Sequence, residues 1–237
     1  EDYERAYALC GNKVKLIEAQ VDDLWMRDTG PVCVRQTDGS IAGIDFNFNG
    51  WGNKQEHTAD AKLAAFVCQH ADLTYRRSSL VMEGGGLEVD GRGTAIITES
   101  CVLNPNRNPG LSKAQCEAEL RRVAGIEQVI WLSGLRGHDI TDGHTDFYAR
   151  FAQPNLILAG VESDKSSIEY GVTQTHLKQL SEYRRTHQNQ LKVLQLASPR
   201  SVRAQFENKD FAAGYINFYV CNGAVIAPQF GDSRADN

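Results

Sequence analysis

No apolar run in the 237 residues approaches the roughly 18 needed to cross a bilayer, so nothing in the sequence reads as a membrane-spanning helix. No two cysteines form a CxxC pair, which excludes a zinc ribbon and a thioredoxin-type redox pair. There is no basic block. Lys plus Arg number 25 against 30 Asp plus Glu, a formal charge of 25 − 30 = −5. That balance argues against nucleic acid and against an anionic membrane surface as partners, and it is compatible with a cationic substrate. Neither GxxxxGK[ST] nor GxGxxG in a strand-to-helix context occurs, so no phosphate loop is signalled. No HExxH or histidine cluster occurs either, so no metal is expected. Proline is scarce, six residues, and no Pro/Ser linker or low-complexity tract divides the chain. One domain over residues 1–237 is expected rather than two.

What is present is an ordinary globular composition, 41% apolar and 23% charged, long enough to bury a large core without staples. The six cysteines (10, 33, 68, 101, 116 and 221) read as free structural thiols in a reducing compartment, so a cytoplasmic location is expected. The opening Glu-Asp-Tyr-Glu-Arg is not a signal peptide and lacks an initiating Met, so the natural N-terminus is expected upstream.

The order of elements repeats. A helix over 3–10 and a strand over 14–19 precede a hairpin made of PVCVRQ and IAGIDFNF. A helix over 57–72, a strand over 73–77 and a hairpin turning at Asp90-Gly91 follow. The third round has a helix over 111–125, with Ser112 as N-cap and Gly125 as stop, then the strand QVIWL and the hairpin DFYARF–LILAGV. The fourth has a helix over 167–188, the strand LKVLQL and the hairpin INFYV–AVIAPQF. Repeats of this size point to an array or closed ring. A ring would need one further hairpin from residues outside both ends, giving four modules and part of a fifth.

In each round a polar residue sits where the first hairpin strand begins: Asp28 in WMRDTGP, Glu83 in MEGGG, His144 and Asp146 in DITDGHTDFYARF, and Asn217 in GYINFYV. The first of each are 55, 61 and 73 residues apart (28 to 83, 83 to 144, 144 to 217). Modules arranged around an axis would bring these positions into one pocket. Each also has a plainer reading. Arg27-Asp28 can be a surface pair, the three glycines a tight backbone, and His144 a core histidine or, with Asp146, half of a metal site lacking its other ligands. NPNRNP (104–109) reads as a rigid loop and FNFNGWG (46–52) as a loop with a core aromatic. The matched phase of the four sites favours the functional reading. If His144 and Asp146 lie on a strand, residues i and i+2 face one space. Asp28 and Asp146 would then grip a planar cation such as a guanidinium, whose forked donors fit carboxylates in pairs. Burial would raise the carboxylate pKa values and the bound cation would lower them again. His144 would move protons while Glu83 holds its ring. A nucleophile is missing from this set.

WMRDTGP, DFNFNGWG, MEGGGLEVDGRGT, LNPNRNP, DITDGHTDFYARF and GYINFYVCNGAVIAPQFGD, in this order across nearly the whole chain, resemble the agmatine deiminase branch of the bacterial-type peptidylarginine deiminase family, which are guanidine-modifying enzymes. The resemblance implies an α/β fold, a five-fold pseudo-symmetric propeller of ββαβ modules around a central active-site channel, with one module incomplete here. It implies that Asp28 and Asp146 bind the guanidinium, Glu83 bonds the catalytic histidine, and His144 is the general acid/base. It further implies that Trp25 lines the pocket and that Asp139 meets the substrate's far ammonium. The family's nucleophile is a cysteine in a Gly-rich segment expected beyond residue 237, so the chain as it stands is expected to be inactive. The implied reaction turns agmatine into N-carbamoylputrescine and ammonia through a covalent thiouronium, with no metal and no cofactor. Free or peptide-linked arginine is the alternative substrate, and a non-catalytic guanidinium binder the alternative class. A homodimer is compatible with the sequence, which is silent on oligomeric state.

Overall fold

The computed structural model of the chain describes residues 2–187, 190–206 and 213–236. After α1 (Asp2–Cys10) and the single-turn α2 (Met26–Thr29), the same unit occurs three times. The first unit is β1 (Val32–Arg35), β2 (Ile41–Asp45), α3 (Gly50–Asn53), α4 (Leu63–His70) and β3 (Thr74–Arg77). The second is β4 (Glu88–Val89), β5 (Thr94–Thr98), α5 (Glu99–Val102), α6 (Lys113–Ala124) and β6 (Gln128–Leu132). The third is β7 (Ala149–Gln153), β8 (Leu156–Val161), α7 (Ile168–Thr186) and β9 (Lys192–Ala197). A last hairpin, β10 (Tyr219–Cys221) with β11 (Ala224–Ile226), follows.

Each full unit is a three-stranded sheet in sequence order, with an antiparallel hairpin and then a parallel pairing. A parallel pairing cannot be closed by a tight turn, so the chain crosses back through helices before the third strand. The second hairpin strand is therefore central in every sheet. In β5, Ala95, Ile96, Ile97 and Thr98 are all buried, because this strand has a core packed against each of its faces. Successive residues of a strand point to opposite faces. Ile97 accordingly packs with Ile44, Leu80, Met82 and the α6 residues Cys116, Leu120 and Val123. Ile96 packs with Ile130 of its own sheet and with Tyr148, Ile157 and Leu180 farther along the chain. One sheet thus walls off two cores. Helix α6 is fixed at both ends as its sequence predicts: Ser112 and Gln115 form a reciprocal capping box, and Gly125 takes the left-handed conformation (φ 67°) that ends the helix.

Two expectations need correction. Residues 14–19 form no strand; Val14 and Ile17 are exposed and no described strand lies alongside them to pair with. The strand holding DFYARF begins only at Ala149, and Thr145–Phe147 is a 3-10 turn. The predicted fourth-round helix is observed as α7, while its last residue, Gln188, lies outside the described residues. No helix among the described residues is long and apolar enough to cross a membrane.

Candidate active site

The site lies where segments ahead of the hairpins meet. The helix α2 delivers Asp28 four residues before β1. Its carboxylate is held from two sides: Oδ1 accepts the Gly85 N–H at 2.8 Å and Oδ2 accepts the Trp51 indole N–H at 2.9 Å. Trp51 itself sits at φ 53°, a left-handed conformation that a bulky residue adopts only when its surroundings impose it. Asn49 imposes it by accepting the Gly52 N–H at 2.8 Å, while its amide donates to the Asn106 carbonyl at 3.0 Å. The FNFNGWG segment is thus a brace for Asp28, which reading it as a loop with a core aromatic had missed.

His144 precedes the 3-10 turn and is 2% exposed. Its Nε2 lies 3.1 Å from Glu83 Oε2, and its Nδ1 lies 3.8 Å from Asp28 Oδ2. Asp146, inside the turn, is 6% exposed. His144 and Asp146 do face one space, but the tight turn aims them there rather than a strand pleat. Gly85 marks that convergence. A Cβ at residue 85 would fall 2.6 Å from Asp28 Oδ1, 2.7 Å from His144 Nδ1 and 2.9 Å from Asp146 Oδ2. Only a residue without a side chain lets three groups from separate segments close around one Cα. Gly84 is needed for a different reason: a Cβ there would meet the Arg27 carbonyl oxygen at 2.1 Å.

The electrostatics are uneven. Burial pushes the Asp146 carboxyl up to about 6, with the Asp28 charge adding to the rise, while His144, Arg27 and Arg150 oppose it. Its Oδ1 is buried with no hydrogen-bond partner, and Arg27 Nε stands 3.7 Å from Oδ2, too far to bond. Burial alone would lower the His144 pKa, but the Asp28 charge and the bonds with Cys101 and Glu83 outweigh it and hold it well above the usual imidazole value. These contacts favour the protonated, imidazolium form of His144. Burial would raise Glu83, yet His144 and Arg107 outweigh it and keep that carboxylate below its ordinary range.

Behind Glu83 stands Arg107, from the NPNRNP segment, with a side chain fully excluded from solvent. Its Nε donates to both Glu83 oxygens at 2.8 and 3.1 Å. Cys101 reaches the same carboxylate, Sγ to Oε2 at 3.5 Å. This places Cys101 at the site, on the Glu83 side of the imidazole and not on the Asp28 side. Burial first, and the Glu83 charge second, push its thiol up, so it stays protonated. Glu83, Cys101 and His144 present ligand atoms within 4.8 Å of one another, a spacing a metal ion could bridge. The positive charge on that carboxylate is already supplied by Arg107.

The remaining sequence candidates sit further out. Trp25 is 53% exposed, with its indole bonded to Asp23; it touches Asp28 through the backbone, where the Asp28 N–H donates to the Trp25 carbonyl at 3.0 Å. Asp139 Oδ1 accepts from the Thr141 amide and hydroxyl, both at 2.5 Å, and so organises the loop that leads to His144. Asn217 is exposed. All six cysteines are free thiols.

Proteins of known identity share this arrangement of chain. The sequence is 34% identical over 265 residues to an agmatine deiminase of Medicago truncatula, covering 99% of this chain and 71% of the relative. The fold superposes on an Enterococcus faecalis agmatine deiminase with a TM-score of 0.88 at 30% identity, covering 99% of this chain and 70% of that one. It also superposes on a substrate-bound Cys-to-Ser variant of a C. jejuni agmatine deiminase, with a TM-score of 0.86 at 27% identity, covering 99% and 68%. Residues 1–237 match the profile of the Porphyromonas-type peptidyl-arginine deiminases, and the chain belongs to that family.

Proposed function

We propose that this chain is the guanidinium-binding and acid–base part of an agmatine deiminase, converting agmatine and water to N-carbamoylputrescine and ammonia. The observation that carries the reading is the bare Oδ1 of Asp146, buried and unpartnered beside a second carboxylate and an imidazolium. An unpaired acceptor in such a place costs about 1–3 kcal/mol, and a planar cation with forked donors recovers it. Asp28 and Asp146 hold the guanidinium. Binding it pulls Asp146 down from about 6 and favours its ionised form around the substrate.

In the reaction a thiolate adds to the central guanidinium carbon. His144 gives its Nδ1 proton to the departing nitrogen, ammonia leaves, and an S-alkylthiouronium remains. Nδ1, now a base, takes a proton from water as that water attacks the same carbon; the adduct then expels the thiolate, its remaining hydroxyl proton passes to solvent, and the neutral ureido product departs. The attacking thiolate comes from outside these 237 residues. Cys101 lies behind the imidazole with a raised pKa, and the other cysteines lie on helices or within hairpin strands. A substrate-bound Cys-to-Ser variant of the C. jejuni relative is consistent with a cysteine in that role. The fold belongs with this proposal: the three units and the last hairpin are parts of one domain with five modules around a channel, its far end reading the substrate's ammonium near Asp139 and Trp25.

The test is calorimetric titration of agmatine, arginine and an arginine-containing peptide into the parent chain and into Asp28→Asn and Asp146→Asn. Agmatine is expected to bind the parent, and each variant to lose tenfold or more in affinity while staying folded. Undiminished binding by either variant would remove the carboxylate assignment. Binding of the peptide alone would move the substrate to protein-bound arginine.

A further inference from the structure

Arg107 is the least explained charge in the molecule: a guanidinium with no solvent contact, in a loop, on no element of the repeat. Each of its three nitrogens is hydrogen-bonded. Nε bonds Glu83, Nη1 bonds Asp142 Oδ2 at 2.8 Å and Asn106 Oδ1 at 3.1 Å, and Nη2 bonds the Thr141 carbonyl at 2.9 Å. Asp142 Oδ2 also receives Lys54 Nζ at 2.8 Å. The result is a run of alternating charge from the surface inward: Lys54, Asp142, Arg107, Glu83, His144, Asp28.

This run answers a problem in the chemistry. A buried carboxylate beside an imidazolium invites the proton to cross, leaving neutral acid and neutral imidazole. A general acid that loses its proton to its own partner has none to give the substrate. A fixed cation on the far side of the carboxylate opposes that transfer. A lysine matches the charge but not the fork; only a guanidinium reaches Glu83 with one edge and the 141–142 loop, which leads directly into His144, with the other.

We propose that Arg107 is a positioning residue for the deimination: its buried guanidinium keeps Glu83 ionised and fixed, so that the Nε2 proton of His144 stays in place and only the Nδ1 proton is exchanged with substrate. This rests on the reading of His144 as the acid/base. The charged or titratable groups facing His144 are Asp28, Glu83, Cys101 and Asp146; those facing Glu83 are His144, Arg107 and Cys101; those facing Arg107 are Cys101, Glu83 and Asp142. Among them Arg107 is the only permanent cation that touches Glu83.

The test follows the imidazole nitrogens of His144 and the carboxyl carbon of Glu83 by NMR across pH. The proteins are the parent chain, Arg107→Lys, Arg107→Met, and Arg107→Met with Asp142→Asn, in which one charge of each sign is removed so that no carboxylate is stranded. In the parent, Glu83 is expected to stay ionised while His144 titrates, with Nε2 protonated throughout. Removing the cation makes the Glu83–His144 pair easier to protonate. Both Met variants should therefore titrate about one pH unit or more to the alkaline side, tenfold or more in proton affinity, with Glu83 taking a share of the proton. Arg107→Lys should shift less. A folded Met variant that titrates like the parent overturns the proposal, as a tether without an electrostatic role would give that result. If neither Met variant folds, the parent decides: a Glu83 carbon that moves with His144 overturns it. Agmatine titrated into the same parent sample reports the substrate reading separately. Failure to bind agmatine, with the titrations as expected, would sink the substrate and leave the role of Arg107 standing.

Discussion

Asp146 makes a stability prediction that runs against the usual expectation for a buried acid. Its carboxyl titrates near 6 in the folded chain against 3.8 for the free group. A raised folded pKa means that the protonated form is favoured by folding. The associated stability is fully present below pH 3.8 and is lost as pH rises through 6, with nothing further lost above. The difference of about 2 units, at about 1.4 kcal/mol each, amounts to about 3 kcal/mol. Replacing Asp146 with Asn removes the charge and keeps the shape. Urea unfolding without agmatine should therefore find Asp146→Asn more stable than the parent at pH 7.5 by about 2–3 kcal/mol, and the gain should shrink steadily toward pH 4. The same variant should lose its affinity for agmatine, separating stability from binding in one residue. An Asn variant that is less stable at pH 7.5, or a gain that does not change with pH, would refute the reasoning.

Other consequences are simpler to test. Within the glycine triplet, Gly85→Ala should cost agmatine binding tenfold or more by calorimetry, because a Cβ within 2.9 Å of Asp28, His144 and Asp146 forces these held groups apart. Gly86→Ala should be close to neutral in the same measurement, since its Cβ finds contacts no nearer than 3.5 Å. Ser112→Ala should lower stability in urea by about 1 kcal/mol through loss of the α6 cap, without changing agmatine binding.

Much of this was readable beforehand, for identifiable reasons. The hairpins and helices of the three full units announce themselves because apolar spacing alternates between two and about 3.6 residues and the turns carry Gly, Asn and Asp. The meeting of Asp28, Glu83, His144 and Asp146 was visible in their common phase relative to the strands. The strand expected over 14–19 failed because pairing is a property of two segments, and periodicity in one cannot supply the other. Arg107, in a loop, and Trp51, in the irregular single turn α3, escaped notice because neither segment has a period. Only the folded chain reveals that one points its guanidinium at Glu83 and the other its indole at Asp28. Even where the conclusion held, the cause differed: His144 and Asp146 share a direction through a 3-10 turn, not a pleat.

The two-sided burial of β5 carries a cost for change. Ile96 and Ile97 are consecutive in sequence, yet each is committed to a different core. A substitution that suits one neighbour therefore shifts the backbone seen by the other. The units cannot be exchanged, duplicated or redesigned one at a time, as beads on a string could be. The units share an order of strands and helices, while their side chains are tied to one another, unit against adjoining unit.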